Sequence, residues 1–320
     1  MAAGIAQAAI HGSQAFAFIP LDKALAVPGV IYSPRMDKGR QPQSGLSLLW
    51  LLQQIYDNDR LTPILPYDPN ALLSKRVRDL AEADEGIRLM ELHHILNKFE
   101  PGWSPEALND RVEELIFVST LLTFGTGKPN RKPRVDFFLM HLLTSSLFVP
   151  SFLKHLPNME HQRMLVKTFL QPWGIILMTR GRPRIDASLL MSYTDMPSPP
   201  KMPVPSPQAS ASALASDSTN PWPAITNDVI HAPDAHTLKS LRSLLYGAMQ
   251  YGTLAKGDVI GAWGPDGKET HVGMGEVDGT VFVRAAGVLM EAMGWVTHGQ
   301  EEGEWDRSAL GWDDAWKGGD

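Results

Sequence analysis

Through most of this chain, apolar residues recur with the period of a helix rather than the alternation of a strand. The pattern predicts helices near 2–18, 45–57, 70–82, 84–99, 105–124, 135–149, 158–179, 184–193, 235–251 and 279–296, with Pro or Gly in most of the intervals. Strand-like alternation is confined to Asp258–Trp263 and Val281–Val283, both short. The expected fold is therefore all-α, a single large multi-helix domain with little or no sheet. The first predicted helix has no Ser, Thr, Asp or Asn ahead of it to cap its free amides, so the chain reads as starting in the middle of an element.

Residues 195–223 break the pattern. Prolines crowd Asp195-Met-Pro-Ser-Pro-Pro-Lys-Met-Pro-Val-Pro-Ser-Pro207, and an Ala/Ser-rich stretch follows up to Asn220-Pro-Trp-Pro223. With almost nothing to bury, this segment reads as a disordered linker or insertion. It separates a helical region, 1–194, from a second helical block of the same domain, 224–298. Residues 299–320, rich in Gly, Trp and acid, read as an irregular tail.

The 320 residues are 43% hydrophobic, enough for a large core, and the net charge of −6 argues against nucleic acid as a partner. The chain contains no cysteine, which rules out disulfides, thiolate metal sites and a cysteine nucleophile. No uninterrupted apolar run reaches the ~20 residues of a membrane span, and the amino terminus lacks the basic start of a signal peptide. The expectation is a cytoplasmic protein without a membrane span.

Candidate chemistry begins at His141, set in the apolar run Asp136-Phe-Phe-Leu-Met-His141-Leu-Leu-Thr-Ser-Ser-Leu-Phe148. Apolar neighbours on every helical face predict a desolvated imidazole at the centre of a helical domain, where it needs a partner. That partner is a backbone or hydroxyl group if the histidine is structural, or a metal or substrate if it is functional. Thr144 and Ser145 are placed to bond back to helix carbonyls. In Asp234-Ala-His236-Thr-Leu-Lys239-Ser-Leu-Arg242, Asp234 is the predicted N-cap. His236, Lys239 and Arg242 then share one helix side, next to a stripe of Leu238, Leu241, Leu244 and Leu245. This side reads as a solvated basic edge or as the wall of a site.

Other histidines carry less. His93 shares the apolar face of Leu89 and Leu96 and reads as a core group, and His11 ends an apolar stripe and could line a cavity. His155 and His161 read as surface residues. Gly125-Thr-Gly127-Lys128-Pro129 lacks the first glycine of a phosphate loop and has Pro where Ser or Thr belongs. Gly273-Met-Gly275-Glu-Val-Asp-Gly279 has the wrong spacing for a dinucleotide fingerprint. Arg180-Gly-Arg182-Pro-Arg184 reads as a solvated turn, with an anionic ligand as the alternative.

The stretch from His93 through Lys98, Pro101 and Trp103, the run Val135–Phe148, and Asp234-Ala-His236-Thr-Leu-Lys239 with Arg242 resemble the questin oxidase-like proteins. Gly4-Ile-Ala-Gln-Ala-Ala-Ile-His11 resembles them less specifically. The resemblance implies an oxidoreductase that opens a ring of an aromatic polyketide such as an anthraquinone in fungal secondary metabolism. It would use O₂ and either NADPH in a Baeyer–Villiger-type reaction or non-haem Fe(II) as a dioxygenase. Carried over by position, His141 becomes a metal ligand and Lys239 the residue that is carboxylated, while His236 is a third candidate. The resemblance also places further histidine ligands ahead of the position of Met1. The expectation is thus an amino-terminally truncated relative, with a non-catalytic helical protein that binds an aromatic ligand as the alternative. Phe137, Phe138 and Met140 are the expected apolar walls for a flat substrate.

Overall fold

Local capping sets where the helices begin. In the computed structural model, which describes residues 39–200 and 219–318, Ser47 caps α1 (Leu48–Asp57) by accepting from the Trp50 amide. Ser104 caps α4 (Pro105–Phe124) through the Ala107 amide, and Pro105 occupies the first turn, where no N–H is needed. Between them lie α2 (Leu73–Glu82) and α3 (Ile87–Leu96). The chain continues through α5 (Phe137–Ser146), α6 (Val149–His155), α7 (Met159–Thr179) and α8 (Ala187–Ser192). After the proline-rich stretch come α9 (Trp222–Val229), α10 (Ala235–Tyr251) and α11 (Val281–Met293). Among the described residues β structure is limited to three isolated bridges, so the fold is all-α.

The central element is α4, packed by α1, α5, α8, α10 and α11. A helix enclosed on nearly every side must be apolar almost all round or must pair its charges. Here both occur. Leu115, Phe117, Val118, Leu121 and Leu122 are fully buried. Buried Arg111 donates from Nε to the Glu100 carbonyl at 3.1 Å and from Nη1 to the Leu46 carbonyl at 3.1 Å, and it pairs with Glu114. Glu114 in turn accepts from the Leu48 amide at 2.7 Å, which fastens the start of α1 to α4. At the α10–α11 crossing, Gly247 leaves room for the Phe282 ring; a Cβ there would meet it at 2.4 Å.

The apolar run beyond Asp136 does not form one continuous helix. It divides into α5 and α6 after Leu147, and α6 carries Pro150 in its first turn. By length and composition alone, Phe137–His155 is a stretch that could cross a membrane. In this fold Leu139, Met140 and Leu143 are fully buried in the core. Residues 299–318 are irregular but closely packed. Trp305, Trp312 and Trp316 are buried, and Asp306 bridges to the start of α5. The Phe137 amide donates to the Asp306 carbonyl at 2.8 Å, and the Asp306 amide donates to the Val135 carbonyl at 2.9 Å. Of the expected linker, residues 201–218 lie outside the described part, and Trp222, near its end, opens α9.

Candidate functional site

The beginning of α5 is held from below. Asp136 is buried and accepts from the Phe138 and Leu139 amides at 2.9 and 3.2 Å, an N-cap. The same carboxylate receives the Nε–H of fully buried Arg180, at 3.0 and 2.8 Å to its two oxygens. This anchor and the Asp306 bridge orient α5 so that Leu139, Met140, Leu142 and Leu143 enter the core. Phe137, His141, Thr144 and Ser145 face the other way.

The expected desolvated position of His141 is therefore not what forms. Three to four residues per turn allow the buried stripe to pass on one side of the imidazole. His141 instead stands on the wall of a cavity of about 510 Å³, reached by solvent on one side and packed by Phe137 and His236 on the other. Two further helices close this cavity. Phe169, Pro172, Trp173 and Ile176 come from α7, and His236, Lys239, Arg242 and Ser243 from α10. All three site residues expected from sequence thus line one space, and the basic edge of α10 faces that space. The expected apolar walls are corrected: Met140 is fully buried in the core and Phe138 lies under the Arg180 guanidinium at 4.7 Å, while Phe137 supports the two histidines. The apolar lining comes from Leu142, Leu147, Phe148, Phe169, Trp173 and Ile176.

The two imidazoles form a pair. Their ring centres are 5.4 Å apart, and the Phe137 ring packs edge-on against both, at 4.7 Å from His141 and 4.9 Å from His236. His141 Nδ1 lies 2.8 Å from the Phe137 carbonyl oxygen. A carbonyl only accepts, so Nδ1 carries the proton. His236 Nδ1 lies 2.7 Å from Asp234 Oδ1, which also caps α10 by accepting from the His236 amide at 2.8 Å. The same logic puts the proton on Nδ1 there. In the neutral ring of each histidine, Nε2 is then the lone-pair nitrogen. Burial lowers the pKa of His141; the Phe137 carbonyl opposes this, and the charges of His236, Lys239 and Arg307 add to it. Burial alone would raise the Asp234 carboxyl, but the His236 amide and ring, with Arg307 beyond them, hold it below its ordinary value.

These features match what a metal asks of histidine. A ligating imidazole commonly donates its other N–H to a carbonyl or carboxylate, which holds the ring and its tautomer. Two imidazoles on one first-row ion, each bound at about 2.1 Å, have centres about 5 Å apart, compatible with the observed pair. No group of three or more His, Asp or Glu side chains is gathered at metal-binding distances among the described residues. Lys239, the third expected ligand, has no lone pair to give as an ammonium.

Arg307 was not foreseen. It reaches the site from the irregular carboxy-terminal segment, with its guanidinium 4.0 Å from the centre of the Phe137 ring. Nothing in the local pattern of Trp305-Asp-Arg307-Ser marks it, because its partner Phe137 lies 170 positions away in sequence.

The remaining sequence candidates settle elsewhere. The arginine run is not a solvated turn: Arg180 is buried against Asp136, and Arg182 Nη1 donates to the Ile55, Tyr56 and Asn58 carbonyls at the end of α1. Gly125 ends α4, so the Gly125–Lys128 loop follows a helix carboxy terminus, the wrong pole for a phosphate. Glu269 fills the Gly273 and Gly275 amides at 2.9 and 3.0 Å. His93 is half-buried rather than core, His155 and His161 are on the surface, and His11 lies outside the described residues. A cavity of about 820 Å³ holds His271, whose buried ring nitrogens have no hydrogen-bond partner among the described residues. Another, of about 630 Å³, lies between α2 and Trp312. Neither brings two of the expected site residues together.

Comparison with individual curated proteins gave no match. The profile of the family described as questin oxidase-like matches residues 1–244, a span that takes in both histidines and Lys239. That span is more than half of the 320 residues and ends within α10. The all-α fold and the matched span lead to one conclusion: this chain belongs to the questin oxidase-like family.

Proposed function

We propose that the cavity between α5, α7 and α10 is the active site of an oxidoreductase that cleaves a ring of an aromatic polyketide, with an anthraquinone as the type of substrate. Family membership supports the oxidoreductase class and a small-molecule substrate. The observation that carries the reading is the convergence of His141, His236 and Lys239 on one largely apolar space of about 510 Å³, within the range that takes a small organic ligand.

In this reading His141 and His236 would hold Fe(II) through Nε2, and Lys239 would join them as the carbamate formed when its amine adds CO₂ and loses a proton, which offers hard oxygen donors. Iron bound there would supply the one-electron chemistry that lets O₂ react with a closed-shell aromatic ring. The protein's own part is arrangement. The Phe137 carbonyl and Asp234 keep the Nδ1 protons in place, and the Phe137 ring fixes the two imidazoles relative to each other. Trp173, Phe169, Leu142 and Ile176 hold a flat ring system and displace water from it.

The test is metal analysis and O₂ uptake on the purified chain with an anthraquinone, with and without Fe²⁺ and with and without NADPH. The expected result is iron-dependent uptake, with His141→Ala and His236→Ala each losing both metal and activity. Uptake that needs NADPH but survives both substitutions would move the chemistry away from this metal pair. Absence of turnover under all conditions would favour a non-catalytic aromatic-binding relative.

A further inference from the structure

The charges around the cavity are one-sided. Its described lining contains His141, His236, Lys239 and Arg242, and neither Asp nor Glu. The nearest carboxylate, Asp234, has Oδ1 committed to the amide and ring of His236. Lys239 and Arg242 form no ion pair with any described carboxylate, while Arg307 lies over the face of Phe137 and acts electrostatically on Asp234. Arg242 lies in the lining on α10, and Arg307 stands outside it in the carboxy-terminal segment, over the Phe137 ring that braces the two histidines. The rest of the wall is mostly apolar: Leu142, Leu147, Phe148, Phe169, Trp173 and Ile176.

Such a lining sorts ligands by charge. An apolar wall binds a neutral and an anionic ring system equally through its flat carbons. Cations with no internal acceptor favour the anion, because Lys239 and Arg242, though exposed, offer it charge-assisted hydrogen bonds beside an apolar wall. A cationic ligand would meet like charge at Lys239 and Arg242.

We propose that this cavity is specific for an aromatic anion, a polycyclic ring system bearing a carboxylate or phenolate, and that Arg242 in its lining and Arg307 beside it, over Phe137, are its charge-selecting residues. The proposal rests on the reading of this cavity as the substrate site.

The experiment measures binding, not turnover. Isothermal titration of the full chain, treated with chelator so that no metal can hold the anion, compares anthraquinone-2-carboxylate with anthraquinone-2-carboxamide at pH 7.5. The two probes have nearly the same shape and differ in charge. The carboxylate is expected to bind about tenfold tighter or more, with a preference that shrinks as salt is raised. Arg242→Gln should remove most of that preference while the carboxamide affinity stays within about twofold, which also shows that the variant is folded. Arg242→Lys should retain part of it, and Arg307→Gln should weaken carboxylate binding alone. Equal affinity for the two probes would overturn the charge selection and leave the oxidoreductase reading standing. Tight binding of the carboxylate that Arg242→Gln and Arg307→Gln leave unchanged would overturn the assignment of these residues. Failure of both probes to bind would overturn the cavity as an aromatic site and this inference with it.

Discussion

Asp136→Ala removes two supports of the site at once. The carboxylate is 1% exposed and its partner Arg180 is fully buried. Arg180 Nη1 and Nη2 have no hydrogen-bond partner among the described residues, so the Asp136 oxygens are the acceptors on which this buried cation depends. Removing one partner of a buried pair costs about 3–5 kcal/mol, because the remaining charge is left uncompensated. Loss of the α5 N-cap adds about 1 kcal/mol. A total of about 4–6 kcal/mol is a large share of the roughly 5–15 kcal/mol by which a domain is stable. Urea unfolding followed by tryptophan fluorescence would measure it. Asp136→Asn keeps a good capping side chain but loses the charge, and should lie about 1 kcal/mol above the alanine variant. Adding Arg180→Met to Asp136→Ala removes the stranded cation and should recover about 3 kcal/mol, read as the coupling in a double-mutant cycle. The reasoning is refuted if Asp136→Ala stays within about 1 kcal/mol of wild type, or if the double variant is no more stable than the single one.

Glu114 is fully enclosed, and burial, opposed by Arg111, pushes its carboxyl up to about 7 from 4.5. A carboxyl raised in the folded state favours folding at low pH, and that contribution is lost as pH rises from about 4.5 through about 7. It amounts to about 3 kcal/mol, so the stability of Glu114→Gln relative to wild type should increase over that window in denaturant titrations. A flat difference would exclude Glu114 as the cause. Gly247→Ala should destabilise by about 1–3 kcal/mol, since the new methyl meets the Phe282 ring in a packed crossing, and a melting temperature unchanged from wild type would contradict that crossing. In metal-free protein the His141 ring should titrate below its ordinary 6.5, and Arg307→Gln should move it upward; an unmoved NMR titration would separate Arg307 from the site.

How much of this could be read in advance differs between elements. The helices from α1 to α5, α7, α8, α10 and α11 were legible as apolar periodicity bounded by Pro, Gly and capping residues. The α6 and α9 helices were not, because Pro150 and the Pro221-Trp-Pro223 sequence look like breakers, while prolines in a first turn are compatible with a helix. The site residues His141, His236 and Lys239 were visible as polar exceptions in helical segments and through the family likeness. The side that His141 faces was not visible, since apolar neighbours surround it on the helix and only packing selects which of them are buried. Arg307 was the least legible, because it meets Phe137 from 170 positions away, by way of the Asp306 bridge.

By itself, then, the sequence determined an all-α chain, the capped start of α10 at Asp234, and the residue types and family positions of the site. These follow from local periodicity and from motifs within single segments. Only the tertiary structure decided that α5 turns His141 out of the core, that its ring and that of His236 stand as a pair braced by Phe137, and that basic groups meet in a described lining that holds no Asp or Glu. Those are contacts between residues distant in sequence, set by which apolar stripes are buried together, and no local pattern encodes them.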